Sequence, residues 1–401
     1  MKLTDGRIPA KHIVFLSLAF CGYVINALYF NGFGTIAPVM MEFYQITPAR
    51  QGLVLTMQSI GSLIMLVYMG LHGERYNKIN LYSVATLLFG ALCLVIGFAL
   101  PYAVIIMLFL VSGGLASVTD VMVNGMIPEL YPKQKNTLLP LLHAFFGVGA
   151  MVSPIIITTM ASPDDPPSFI RPFLLIGALA VCLAVVFLII KKLIIPDTPY
   201  ADMSAVRKQV SDNPAEIFKT KKAWLLLGAG ALYFSFQIGH MSWLPSYGQE
   251  LGMDFSTSGS MLTAFFSGSL VMRFCSPLIL RKITARKAYI LLSLLGAAIV
   301  SAAHFMQNPS MMIALLAIGG FMQGSCVAFL VLMSADTFPH RVASASSLTF
   351  IAAGVAAMTA PLWMGAIAEH IGFRIPLLMV CALIAISAFL VSLVPGAANT
   401  E

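Results

Sequence analysis

The residue with the most chemistry to offer lies inside an apolar run. In the stretch GGLASVTDVMVNGMIPEL, Gly113 to Leu130, Asp120 stands near the middle and Asn124 follows four residues later. Four residues is about one helical turn, so the acid and the amide share one helix face. An acid beside an amide can ligate a polyol or an ion. Burial penalises the charged form of a carboxyl, which suits such a group to take up and release a proton. A carboxylate facing lipid costs at least about 2.5 kcal/mol, so Asp120 is expected to face a wet cavity instead. It is the only acidic residue well inside an apolar span, and it is the candidate coupling residue.

Other polar side chains interrupt the apolar runs. His143 is a second coupling candidate, because imidazole relays protons near neutral pH; a packed donor to a carbonyl is the plainer alternative. The seventh run carries Gln237, His240, Ser242, Trp243 and Tyr247. Gln237, His240 and Tyr247 fall close to one face, and Trp243 is either a stacking platform for a flat ligand or part of an interfacial aromatic belt. Asn26, Asn31, Gln58 and Gln323 lie in three further runs. Each alone reads as interhelical glue; together they make an amide-rich binding cavity. Arg273 has three open readings: snorkelling to the interface, pairing with Asp336, or binding an anionic substrate. Glu129 and Asp336, near basic loops that include Glu74-Arg75 and Arg281, read as latches that close one face, with helix-end charge balance as the alternative. No Walker loop, nucleophile–base pair or metal-ligand spacing stands out, and the six cysteines are all within apolar runs without a CxxC pair. The expectation is a non-enzyme with no cofactor and no metal.

The elements that must position these residues are membrane helices. The chain has 401 residues, 59% of them hydrophobic and only 10% charged, where soluble domains carry about 25% charge. Twelve apolar spans recur, at roughly 13–40, 52–71, 81–100, 102–127, 137–161, 170–194, 223–246, 258–279, 288–307, 311–335, 343–366 and 373–395, each long enough to cross the hydrocarbon core as a helix. The net charge of +7 does not point to nucleic acid, because Lys and Arg crowd alternate connections. That is the positive-inside pattern, and it places both termini in the cytoplasm. The compact loops suggest a bacterial inner membrane.

The chain also uses one unit twice. A gap-free offset of 207 residues maps Gly32 and Pro38 onto Gly239 and Pro245, and Gly61-Ser62-Leu63 onto Gly268-Ser269-Leu270. The same register maps Gly113, Glu129, Gly147 and Pro154 onto Gly320, Asp336, Gly354 and Pro361. An even number of spans per half makes the repeats parallel, about an axis along the membrane normal. The polar stretch 196–222 between them reads as a cytoplasmic linker. The expected organisation is therefore a six-helix bundle over 1–195, a linker over 196–222 and a second six-helix bundle over 223–401.

Six plus six spans, parallel repeats and a long link resemble the major facilitator superfamily. GLHGERYNK, Gly70 to Lys78, resembles that family's loop between spans 2 and 3, with Glu74 where Asp is usual. Asp120-Val-Met-Val-Asn124 resembles the acid-x-x-x-Asn of span 4 in fucose permease-like and sodium-dependent glucose transporter-like symporters. LLHAFFGVGAMVSP, Leu141 to Pro154, and YFSFQIGHMSWLPSY, Tyr233 to Tyr247, resemble spans 5 and 7 of that branch. The resemblance implies two bundles rocking around a central site and a monomeric symporter for a small polar solute, a monosaccharide first, driven by protons or sodium. Lipid and solute would be its partners. The chain departs from the pattern at Gln237, His143 and Phe146. Two other readings remain: an antiporter exporting amphipathic compounds, suggested by 24 Met and 27 Phe, and a non-transporting sensor.

Overall fold

The computed structural model describes residues 10–73, 76–98, 100–131, 134–194, 214–338 and 342–394. The α-helices among these residues are α1 (Ala10–Tyr44), α2 (Pro48–His72), α3 (Lys78–Ile96), α4 (Tyr102–Leu130), α5 (Lys135–Met160), α6 (Ile170–Ile194), α7 (Lys221–Glu250), α8 (Phe255–Leu280), α9 (Ala285–Ala303), α10 (Pro309–Gln323), α11 (Cys326–Thr337), α12 (Val342–Ile371) and α13 (Arg374–Ser392). No strand occurs among the described residues. The helix starts follow local capping chemistry: Thr47, Asn77, Thr220, Asp254, Thr284 and Asn308 each accept from the backbone N–H three residues on. Pro48 and Pro309 occupy first-turn positions, where the missing N–H costs nothing.

Among the described residues, eleven segments are long and apolar enough to cross a membrane, α10 and α11 counting as one. The twelfth crossing is α7, 30 residues long, whose hydropathy is lowered by Ser235, Gln237, His240, Ser242, Ser246 and Gln249. The tenth span, expected as one helix, is two. It breaks at Gly324-Ser325, where a β-carbon on Gly324 would meet the Ser269 carbonyl of α8 and the Ser325 hydroxyl donates to the Met272 carbonyl at 3.3 Å. The close helix contact takes a glycine, and glycine is a poor helix former. Most of the expected linker, residues 196–213, lies outside the described residues; the chain resumes with a short 3-10 turn, Pro214–Lys219, before α7.

The repeat has a physical basis in backbone packing. A β-carbon on Gly61 would collide with the Leu110 carbonyl, and one on Gly113 with the Gln58 carbonyl, which locks α2 to α4. In the second half Gly268 meets the Ala317 carbonyl and Gly320 the Phe265 carbonyl, which locks α8 to α10. All four pairs obey the same 207-residue offset as Gly32 to Gly239. Small residues let membrane helices approach to backbone contact, where dispersion rather than water drives association.

The halves meet by the same symmetry. Gly52 of α2 packs on Pro361 of α12, and its counterpart Gly259 of α8 packs near Pro154 of α5. Thr56 donates to the Met358 carbonyl across that seam at 2.8 Å. Gly34 of α1 sits against the carbonyl of Met241 on α7, its own repeat mate, so the pseudo-two-fold axis passes between them. These contacts lie toward the side where α2 and α8 begin. On the other side, which bears the basic loops, Glu129, His143, Arg273 and Asp336 are exposed.

Candidate functional site

Asp120 is at the centre of a polar cluster in the first half. It lies ten residues from the end of α4, about 15 Å from the basic side along the helix axis. The helical register puts Asn124 one turn below it, and the Asn124 amide donates to the Asp120 carboxylate at 3.1 Å and to its backbone carbonyl at 2.9 Å. The same amide reaches the Tyr23 hydroxyl of α1 at 3.3 Å, and Tyr23 acts electrostatically on Asp120. The Tyr23 hydroxyl also approaches Nδ1 of His143 on α5 at 3.5 Å, with the two rings edge to face at 5.6 Å. Three helices thus bring an acid, an amide, a phenol and an imidazole to one level. A proton can be held on the carboxyl, with hydroxyl and imidazole as relays.

Arg273 of α8 closes this cluster from the second half. Its guanidinium lies over Gly147 of α5, one turn from His143, 3.6 Å from where a β-carbon would stand. Tyr23 and Tyr233 are within Coulombic range of it, as is His143. The 207-residue offset, Gly32 to Gly239, exposes an asymmetry. Asp120, Asn124, His143 and Tyr23 correspond to Val327, Val331, Phe350 and Gly230, and Arg273 corresponds to Leu66. The scaffold is duplicated but the polar cluster is not. Neither its type nor its spacing distinguishes Tyr23 from the other eleven tyrosines of the sequence.

A model of the Major Facilitator Superfamily matches residues 19–288 and 248–399. The chain belongs to the major facilitator superfamily. It is a multi-pass integral membrane protein and a transporter by family, not an enzyme. Protein TsgA of Shigella flexneri is 23% identical over 393 residues, covering 95% of this chain and 93% of that protein. TsgA of an Escherichia coli strain matches to the same extent. Among solved structures, a bacterial homologue of the human lysosomal transporter Spinster, inward-facing and unoccupied, aligns with a TM-score of 0.80 at 12% identity over 97% of this chain and 98% of that one. The nucleoside transporter NupG aligns with a TM-score of 0.74 at 14% identity over 98% and 100%. At those identities the structural likeness shows the fold alone.

On this superfamily scaffold the other sequence candidates do not join the Asp120 cluster. Asn26 is buried and donates to the Ala116 carbonyl of α4 at 3.3 Å; Asn31 donates to Ala27 of its own helix at 2.8 Å. Gln323 donates to the Ser293 carbonyl of α9 at 2.9 Å, joining two helices. Gln58 is buried with its amide nitrogen unpartnered, and Gln237 is half-buried with its amide oxygen unpartnered. The amide oxygens of Asn26 and Gln323 are unpartnered too, so all four keep hydrogen-bonding capacity that the described residues do not use.

The α7 aromatic residues pack inside the second half. Trp243 is 0% exposed, donates to the Pro361 carbonyl at 3.1 Å and packs on Phe373 at 5.2 Å. In this structure it is neither interfacial belt nor open platform. Tyr247 donates to the His304 carbonyl at 2.8 Å and receives Arg374 at 3.1 Å. His240 Nδ1 lies 2.8 Å from the Phe236 carbonyl, so it carries the proton, and Nε2 faces Nε2 of His304 at 3.1 Å. Cys381 approaches the same Nε2 at 3.9 Å. The three donor atoms lie within 4.8 Å of one another. A hydrogen-bonded histidine pair accounts for the geometry.

Of the latch candidates, Glu74 and Arg75 lie outside the described residues. Glu129 pairs with Lys78 of its own half at 2.8 Å. Arg281 and Asp336 are exposed, and among the described residues neither forms an ion pair, so the sequence option of an Arg273–Asp336 pair is not realised here.

Proposed function

We propose that this protein is a secondary active transporter that moves a small polar solute, a monosaccharide being the first class to test, by proton- or sodium-coupled symport through alternating access. The observation that carries the reading is Asp120. It is a lone intramembrane acid, held by Asn124 and acted on by Tyr23, whose hydroxyl approaches the exposed His143 at 3.5 Å. Intramembrane acids mark ion paths and proton relays. An acid that gains a proton or a sodium ion on one side and loses it on the other links that ion to the solute. The two-fold seam, with Gly34 against Met241 near its axis, supports a rocking motion of one half on the other.

The solved relatives support transport of this kind: one is a nucleoside transporter, and the Spinster homologue is known inward-facing both occupied and unoccupied. The present arrangement, joined on one side and exposed on the basic side, fits an inward-facing state with the termini in the cytoplasm. The amphipathic-export alternative has less support. Many of the Met and Phe side chains pack within the helix cores rather than lining a common pocket.

The test is transport in proteoliposomes. Radiolabelled sugars and organic acids are offered under imposed proton or sodium gradients. Accumulation of one class above equilibrium under one gradient, abolished by Asp120→Asn, supports the reading. Accumulation by a folded Asp120→Asn protein equal to wild type sinks it.

A further inference from the structure

Arg273 stands seven residues from the end of α8, about 10 Å inside the basic face. Snorkelling toward lipid would place it on the outward stripe of α8. That stripe is Val271, Phe274 and Leu278, which are 53%, 68% and 58% exposed. At about 100° per residue, Arg273 lies about 130° around the helix from the middle of that stripe. Arg273 is nevertheless exposed, and its guanidinium lies over Gly147 of the other half. It therefore faces the space between the halves.

A cation so far inside a membrane protein normally has a counter-charge. Among the described residues Arg273 has none: the described ion pairs are Lys78–Glu129 and Arg171–Asp165. The groups acting on it are Tyr23 and Tyr233, neutral side chains with hydroxyl groups. Asp120 is engaged by Tyr23 and Asn124 and is not one of them. A guanidinium offers five N–H donors in a planar fork matched to carboxylate or phosphate. Here two phenols and His143 lie within Coulombic range of that fork and add neutral hydrogen-bonding groups without adding negative charge.

We infer that the transported solute carries an anionic group, a carboxylate or a phosphate, that binds Arg273 between the halves, so that Arg273 sets charge specificity while Asp120 serves coupling. The inference rests on reading the chain as a solute transporter. It narrows the sugar class to acidic members and admits small organic acids. For a monoanion coupled to one proton or one sodium ion at Asp120, solute and ion cross together with no net charge.

The test uses purified full-length protein and three matched ligand families: glucose, glucuronate and glucose 6-phosphate; glycerol, glycerate and glycerol phosphate; uridine and uridine monophosphate. Binding is read by calorimetry and by the shift in melting temperature. At least one acid binds the wild type while its neutral parent does not. Arg273→Gln weakens that binding by roughly 30-fold or more, the scale of losing one buried charged contact. Arg273→Lys falls between, because it keeps the charge and loses the bidentate fork. Neutral parents binding as well as their acids, an acid binding Arg273→Gln as tightly as wild type, or no response to any acid overturns the proposal. Should Arg273→Gln fail to fold, the comparison of acid with neutral parent in the wild type decides. Failure of the transport reading looks different. The acid binds wild type and weakens in Arg273→Gln, sustaining the anion site, yet no gradient drives that acid into proteoliposomes.

Discussion

The Asn124 amide holds Asp120 twice, through its carboxylate at 3.1 Å and its backbone carbonyl at 2.9 Å. The acid is therefore fixed in direction while it stays half-buried. Asp120→Asn preserves the shape and removes the titratable charge. Its expected outcome is loss of accumulation against a gradient, with downhill exchange retained. Counterflow and uphill uptake measured on one preparation separate the two. A proton-coupled site makes wild-type uptake depend on external pH and leaves it indifferent to sodium; a sodium site does the reverse.

Gly61 and Gly320 let helices touch backbone to backbone. Gly61→Ala and Gly320→Ala should each destabilise the protein by about 1–3 kcal/mol, the usual cost of overpacking. Gly252 makes the contrast. It has φ +78 with nothing near the place a β-carbon would occupy, so Gly252→Ala costs only backbone strain, about 1–2 kcal/mol, and leaves helix packing intact. Thermal unfolding measures the loss in all three, and cross-linking between α2 and α4 should change only in Gly61→Ala.

Trp243 is packed on Phe373 and bonded to Pro361. Trp243→Ala is expected to cost about 3–5 kcal/mol of stability, as for other buried aromatic residues cut to alanine. Trp243→Phe keeps much of the packing and loses the hydrogen bond, at about 1 kcal/mol. A folded Trp243→Ala protein with unchanged melting temperature and much weaker ligand binding would restore the open-platform reading.

Glu129 and Asp336 are repeat mates at the ends of α4 and α11. If they help close the basic side, Glu129→Gln and Asp336→Asn each raise labelling of a Leu270→Cys reporter from that side. Stability should move by only ~0–1 kcal/mol in Asp336→Asn, because Asp336 is exposed, and by more in Glu129→Gln, because its ion-pair partner Lys78 is buried. Equal labelling in both variants and the parent would count against a latch. Glu129 pairs with Lys78 in the arrangement exposed on the basic side, so that ion pair by itself does not hold the halves together.

The sequence by itself determined the spans, the repeat and the distinctive acid, because each is set by local physics. A run of about 20 apolar residues becomes a helix in lipid since the backbone has no other partner there. The glycines of the repeat were legible as a constant offset, and Asp120 as the sole carboxylate within a span. Asn124 followed from the helical period. The direction of the other polar residues was not legible. His240, Trp243 and Tyr247 are spaced like a binding face, but α7 turns them toward His304, Phe373 and Arg374. Those partners are more than 50 residues away in the chain, and spacing along one helix carries no information about which neighbour covers a face. Arg273 shows the same limit most plainly. Its depth was countable in the sequence, but only the packing of α8 on α5 decided that its guanidinium faces Gly147 and the seam rather than lipid or Asp336.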